Sequence, residues 1–196
     1  LAATLNECDK MIAATRANNV RLLIGHSKIF DPPIRAIGEI ARSNRLGKVI
    51  HIDSWLYNDW LRRPRLRQEL DEQKGAGFIL RQAPHLVDIV NYIAVSPAQS
   101  VRAMSGRWEP KMPSDGNLSA LIAYESGALA SMSLNGYGYF DSSELSWGIG
   151  PFGKRQESNK PVKRPEGALG EHEKYSQSRD ASAGDAMPFF GLHVVS

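Results

Sequence analysis

The sequence predicts an α+β domain, a mostly antiparallel open sheet covered by helices on one face. Three observations lead there. Periodic segments run in the order helix–strand–helix–strand–helix and then as a series of strands, whereas an α/β fold would alternate throughout. The last strand-like runs, at roughly 100–109, 117–125 and 128–137, lie close together, and Ser126-Gly127 between the final two is a tight-turn signal. The chain has 196 residues, 42% hydrophobic and 23% charged, which is enough to bury one core and is ordinary for a globular domain.

Taken in order, Thr4 and Glu7 form a capping box, and Leu5, Cys8, Ile12 and Thr15 follow with helical spacing to about Asn18-Asn19. That spacing puts the lone cysteine, Cys8, on the apolar face as a buried thiol. A single thiol excludes an intramolecular disulfide framework and fits a reducing cytoplasm. Val20–Ile24 has the length and flanks of a buried strand. A helix feeding a buried strand is half of a crossover unit, whose first strand would precede Leu1.

A second helix begins at Asp31 as N-cap with Pro32 in its first turn, carries Ile34, Ile37 and Ala41 on one face, and exits at Gly47. Lys48–Tyr57 alternates as a long strand. Residues 61–74, charged and interrupted by proline, read as an excursion loop. Ile79, Ala83, Leu86, Val90 and Ile93 give a third helix a continuous apolar stripe. Residues 150–188 are polar and rich in proline and glycine, a loop rather than a second domain, and Phe189–Val195 reads as a last strand.

Several function classes drop out. A net charge of +3 is too small to argue for a nucleic-acid partner, and no apolar run is long enough for a membrane span. The N-terminus enters an amphipathic helix at once, without a leader pattern. The five histidines show no metal-ligand spacing, so no metal is expected, and no serine-hydrolase elbow occurs. Gly148-Ile149-Gly150-Pro151-Phe152-Gly153 matches a dinucleotide loop by its letters. Its polar flanks, however, lack the strand and helix that such a loop joins.

Two segments carry chemistry. On the third helix, Arg81, His85 and Asp88 are spaced i, i+4 and i+7 as a polar stripe, with Gln82 beside Arg81. Asp88 could orient the ring of His85, as carboxylates do for imidazoles that move protons. Pro84 removes a backbone donor inside the helix, freeing a carbonyl one turn back or kinking the helix. On residue types alone, a solvated helix face is the simpler account of that stripe. The second segment runs from Trp55 through Tyr57, Trp60, Arg62 and Arg63 to Arg67. Interleaved aromatics and arginines suit stacked bases with phosphates, or a flat ring whose carboxylates arginine grips with two hydrogen bonds. An aromatic cluster at a sheet edge with a solvated basic loop fits equally. Glu69, Asp71 and Glu72 follow closely and count against nucleic acid.

Together these segments resemble the Gfo/Idh/MocA family of NAD(P)-dependent oxidoreductases. Gly25-His26-Ser27-Lys28-Ile29-Phe30-Asp31-Pro32 is similar to the family's Asn-x-Arg-Phe-x-Pro segment, and Gly47-Lys48-Val49 to its Leu-Gly-x-Ile strand entry. Gly75-Ala76-Gly77-Phe78 through His85-Leu86-Val87-Asp88 is similar to its glycine-led helix, with His85 at the position of the proton-transferring histidine. Arg81 stands where many members carry an aspartate, and His26 where an asparagine is usual. The resemblance implies a substrate-binding and oligomerisation domain whose dinucleotide-binding partner domain, with NAD or NADP, lies upstream of Leu1. It implies a homo-oligomer formed through the sheet face. It also implies oxidation of a small, cyclic, anionic alcohol, a carboxylated aromatic cis-dihydrodiol, with a sugar or inositol dehydrogenase and a non-catalytic regulatory module as alternatives. His85 would accept the hydroxyl proton, with Asp88 orienting it. Arg62, Arg63 and Arg81 would hold carboxylate, Trp55, Tyr57 and Trp60 would wall the ring, and Gln82 and His26 would line the site.

Overall fold

The computed structural model describes residues 2, 4–58, 60–62, 66–72, 75–112, 114–137, 147 and 191–196. Five strands, β1 (His51–Tyr57), β2 (Ala98–Gly106), β3 (Asn117–Tyr124), β4 (Leu129–Asn135) and β5 (Leu192–Val195), form one sheet in the order β2-β3-β4-β1-β5. Only β1 and β4 run parallel; the other three pairings are antiparallel, as the sequence predicts. The β3–β4 hairpin turns through Gly127, whose φ of +87° lies in the left-handed region that a residue with a Cβ rarely enters. The dinucleotide-like run 148–153, the polar stretch 150–188 and the start of the last predicted strand lie outside the described residues.

Alternation along the strands sets the two faces of the sheet. Ile52, Leu56, Ala120, Ile122, Tyr124, Ala130, Met132 and Leu134 are buried on one face. Against them pack Phe78, Leu86, Ile89, Val90 and Ile93 from α3 (Phe78–Ala94). Each fully buried aliphatic or aromatic side chain of this kind contributes about 1.5–3 kcal/mol of transfer free energy, so α3 and the sheet form the centre of the core. Tyr124 keeps its hydroxyl satisfied by donating to Asn91 Oδ1 at 2.8 Å, and burial pushes its pKa up to about 12. Helix α2 (Pro32–Ser43) packs on α3, and the 3-10 helix Ser27–Phe30 packs against both. Pro84 sits inside α3 without ending it. A proline nitrogen cannot meet the carbonyl of Leu80, and Leu80 is half exposed.

Three expectations are corrected. Helix α1 (Leu5–Ala17) forms with the predicted capping box, Thr4 Oγ1 accepting from the Glu7 amide at 3.2 Å, but buries no residue. Cys8 is therefore exposed rather than buried, because no described element lies against that face. Val20–Ile24 is extended but not a strand, and its side chains are exposed. A strand exists only through a ladder of partners, and none of the described strands offers one. Asp31 occupies the N-cap of α2 without making a side-chain cap. Pro33 at the second helical position has no N–H to donate, and the carboxylate pairs with Lys28 instead.

Candidate active site

The polar stripe of α3 faces the 3-10 helix Ser27–Phe30, and the two elements bring together residues that stand far apart in sequence. The rings of His26 and His85 meet edge to face, with centroids 5.3 Å apart and planes at 64°. Lys28 Nζ lies 3.4 Å from Asp31 Oδ2, and both side chains are only 21% exposed. Arg81 sits one helical turn before His85 and Asp88 one turn after it, so both neighbour the imidazole on the same face.

This surrounding sets the charge of His85. Partial burial lowers its pKa below the ordinary 6.5; the His26 and Lys28 charges lower it further, and the Asp88 carboxylate opposes them more weakly. An imidazole so placed is neutral near pH 7 and has a lone pair to accept a proton. Asp88 acts on it through charge, in the direction that stabilises the imidazolium once formed.

At the start of the helix, Gly77 has a φ of +94°, and a Cβ there would come within 2.9 Å of Glu72 Cγ and 3.2 Å of Ser114 Cβ. The glycine lets α3 begin directly against the excursion loop. That loop is tied down by its acidic residues. Glu69 Oε2 accepts from the Leu66 amide at 2.9 Å, and Glu72 Oε1 accepts from the Asp115 amide at 2.6 Å. The carboxylates that sequence reasoning set against nucleic acid thus hold loop geometry.

Of the residues expected at the site, the structure brings His26 to His85 on α3, the helix that also carries Arg81, Gln82 and Asp88. Trp60 is buried and packs on Phe78 at the start of α3, ring centroids 5.9 Å apart, as part of the core. Arg62 is exposed at its surface end and anchored through Nε, which donates to the Tyr137 carbonyl. Arg63 lies outside the described residues. Trp55 and Tyr57 are not brought to His85. They alternate with Ile52, Ser54 and Leu56 and point to the opposite, open face of the sheet. Lys28 and Asp31 were missed as site residues. Their i, i+3 spacing beside His26 was the available signal.

Two other features lie apart from this cluster. On the open face, Ser131 Oγ donates to Asp53 Oδ1, and His51 Nε2 lies 3.3 Å from the same oxygen. Those bonds, the serine's first, hold the Asp53 carboxyl below its ordinary pKa. Between α2 and β5 a cleft of about 260 Å³ is lined by Ile37, Ile40, Leu46, Val49 and His193, none of which belongs to the His85 cluster. Among the described residues no group of three or more His, Cys, Asp or Glu could hold a metal ion, and no helix is long and apolar enough to cross a membrane.

Helices thus lie on one side of a mostly antiparallel sheet, and His85 stands on the glycine-led helix among them. Residues 34–145 match the model of the GFO/IDH/MocA C-terminal domain, and the chain belongs to that family. A curated protein of Comamonas testosteroni, 1-carboxy-3-chloro-3,4-dihydroxycyclohexa-1,5-diene dehydrogenase, is 34% identical over 156 residues. That match covers 80% of this chain and 39% of the curated protein, so the chain spans well under half the length of that relative. A solved structure from Bordetella bronchiseptica RB50, of a protein assigned as a dehydrogenase, superposes with a TM-score of 0.83 at 33% identity, covering 100% of this chain and 53% of that one. GenD2 from gentamicin A biosynthesis, solved in complex with NAD, shares the fold with a TM-score of 0.64 at 15% identity, over 71% of this chain and 40% of its own.

Proposed function

We propose that this chain is the substrate-binding and oligomerisation domain of an NAD(P)-dependent dehydrogenase that oxidises a carboxylated, cyclic cis-dihydrodiol in aromatic catabolism. The observation that carries the reading is His85, kept neutral beside His26 and Lys28, one turn from an exposed arginine. The Comamonas relative supports the substrate class, because the compound in its name bears one carboxylate and a vicinal diol on a cyclohexadiene ring.

The described residues fit the substrate side of such a reaction and not the nucleotide side. No strand, glycine turn and helix in sequence occur among them to receive a pyrophosphate. Helix α1 and Val20–Ile24, exposed here, suit the outer half of a crossover in a dinucleotide-binding domain preceding this one. When bound by that domain, the nicotinamide supplies the hydride acceptor. His85 takes the proton of the carbinol hydroxyl as the carbon–hydrogen bond breaks, and Asp88 stabilises the resulting imidazolium. Arg81 draws in the substrate carboxylate, a bidentate contact that lysine reproduces poorly. Gln82, beside Arg81, adds a polar contact to the bound ring.

Trp55 and Tyr57 share the open sheet face with exposed Leu121, Leu129 and Val194, a set of apolar side chains suited to cover by a second copy of the chain. An exposed thiol at Cys8 is in keeping with a reducing cytoplasm. Thermal-shift titration of the intact protein tests the substrate assignment. A carboxylated dihydrodiol should raise the melting temperature, and neither myo-inositol nor an oligonucleotide should do so. Stabilisation by inositol alone would move the assignment to polyol oxidation.

A further inference from the structure

His26 and Lys28 take no proton in the chemistry as described, yet His26 packs against the imidazole that does and the charge of Lys28 acts on it. Lys28 is fixed by an unusual local route. In Asp31-Pro32-Pro33 the N-cap carboxylate cannot reach a donor at the second helical position, because that residue is proline. The carboxylate turns back to Lys28 Nζ at 3.4 Å, in a setting where both side chains keep about a fifth of their exposure. The Asp31 amide also donates to the Lys28 carbonyl at 3.2 Å, closing the short helix that carries the lysine. His26 immediately precedes that helix and sets its ring edge to face against His85 at 5.3 Å.

We propose that His26 and the Asp31-clamped Lys28 are positioning residues for His85, holding its imidazole in place before substrate arrives. The proposal rests on His85 being the proton acceptor for its catalytic consequence, but not for its physical content. The charged and titratable groups around the ring are His26 just before the 3-10 helix, Lys28 within it and paired with Asp31, and Asp88 on α3, where Arg81 stands one turn before His85. The charges of His26 and Lys28 disfavour a charge on His85, and that of Asp88 favours it. Asp31 screens Lys28 without cancelling it. The edge-to-face contact restricts rotation of the His85 ring, and an acceptor nitrogen must be aimed to work.

The experiment measures the two links separately, in the intact protein. Imidazole titration by ¹H–¹⁵N NMR follows His85, its signals assigned by their loss in His85→Asn, alongside the pH profile of kcat/KM. In His26→Gln and in Lys28→Met the His85 midpoint should rise by about 0.5–1 pH unit, the size of one partly screened neighbouring charge. Lys28→Arg, which keeps the charge, should leave it in place. The acid limb of kcat/KM should move with it. Unchanged His85 midpoints in both His26→Gln and Lys28→Met, with native melting curves, would overturn the proposal. If the midpoints rise and the acid limb stays, the positioning role stands and His85 as proton acceptor fails.

Discussion

Substituting Gly38 with alanine should destabilise the protein, although it is a helix-favouring change. Gly38 is buried in α2 where that helix crosses α3. In an unconstrained helix interior, glycine to alanine is worth about 1 kcal/mol of stabilisation. Here the added Cβ would overlap the Tyr92 ring and come within 2.8 Å of Arg42 Nη1. Neither neighbour is idle. The Arg42 guanidinium lies 3.9 Å above the Tyr92 ring centroid, and Arg42 Nη2 donates to the Tyr92 carbonyl at 3.1 Å. Displacing the ring sacrifices a cation–π contact of about 0.5–1 kcal/mol and a hydrogen bond of about 0.5–1.5 kcal/mol, and overpacking adds about 1–3 kcal/mol. Set against the propensity gain, the net loss is about 1–4.5 kcal/mol, or about 2–18 °C in Tm for a chain of this size. Urea and thermal melts at pH 7.5 read it directly. A Gly38→Ala protein as stable as wild type, or more so, would refute the packing of α2 on α3. It would also remove the support that holds the 3-10 helix with His26 against His85.

Three further outcomes follow from single sites. Val95 closes α3 in the left-handed region, φ +52°, and is half exposed, so Val95→Gly should relieve strain and raise Tm by about 1–4 °C. Arg81→Ala should weaken binding of a carboxylated dihydrodiol about tenfold to a hundredfold, the worth of a charge-assisted hydrogen bond, and spare an uncarboxylated analogue. Equal losses for both ligands would show folding damage instead. Because His85 binds its proton less readily in the folded chain than in the unfolded one, stability is full above about pH 6.5 and declines as pH falls through the lowered folded pKa. Melts from pH 8 to 5 should show that decline in wild type and a shallower one in His85→Asn.

Much of this was written in the sequence where one period dominates. The stripe of α3, Ile79 to Ile93, meets the sheet as its spacing requires, and the Thr4–Glu7 box caps α1. What local pattern could not supply was the identity of a neighbour. Val20–Ile24 has a strand's residues without a ladder, and Cys8 has an apolar face with nothing described against it. In β1 the alternation was legible, but which face the helices cover is a tertiary fact, and it sends Trp55 and Tyr57 away from His85. The His26–His85 contact joins segments nearly sixty residues apart, a pairing no local rule contains. Asp31 stands at the N-cap expected of it, but that its carboxylate pairs with Lys28 rather than capping the helix was not legible in the sequence.

The central claim is that this domain supplies the proton acceptor, and replacing His85 with asparagine in the intact enzyme tests it most directly. Asparagine keeps a polar side chain of similar reach but cannot take the proton. Steady-state kinetics with a carboxylated cis-dihydrodiol should show kcat lowered about 10²–10⁴-fold, the usual worth of one acid–base group. Affinity for the nicotinamide cofactor, titrated by fluorescence, should stay unchanged. A variant retaining more than about a tenth of wild-type kcat, a barrier change of only about 1.4 kcal/mol, would contradict the assignment and leave His85 as a residue that orients substrate.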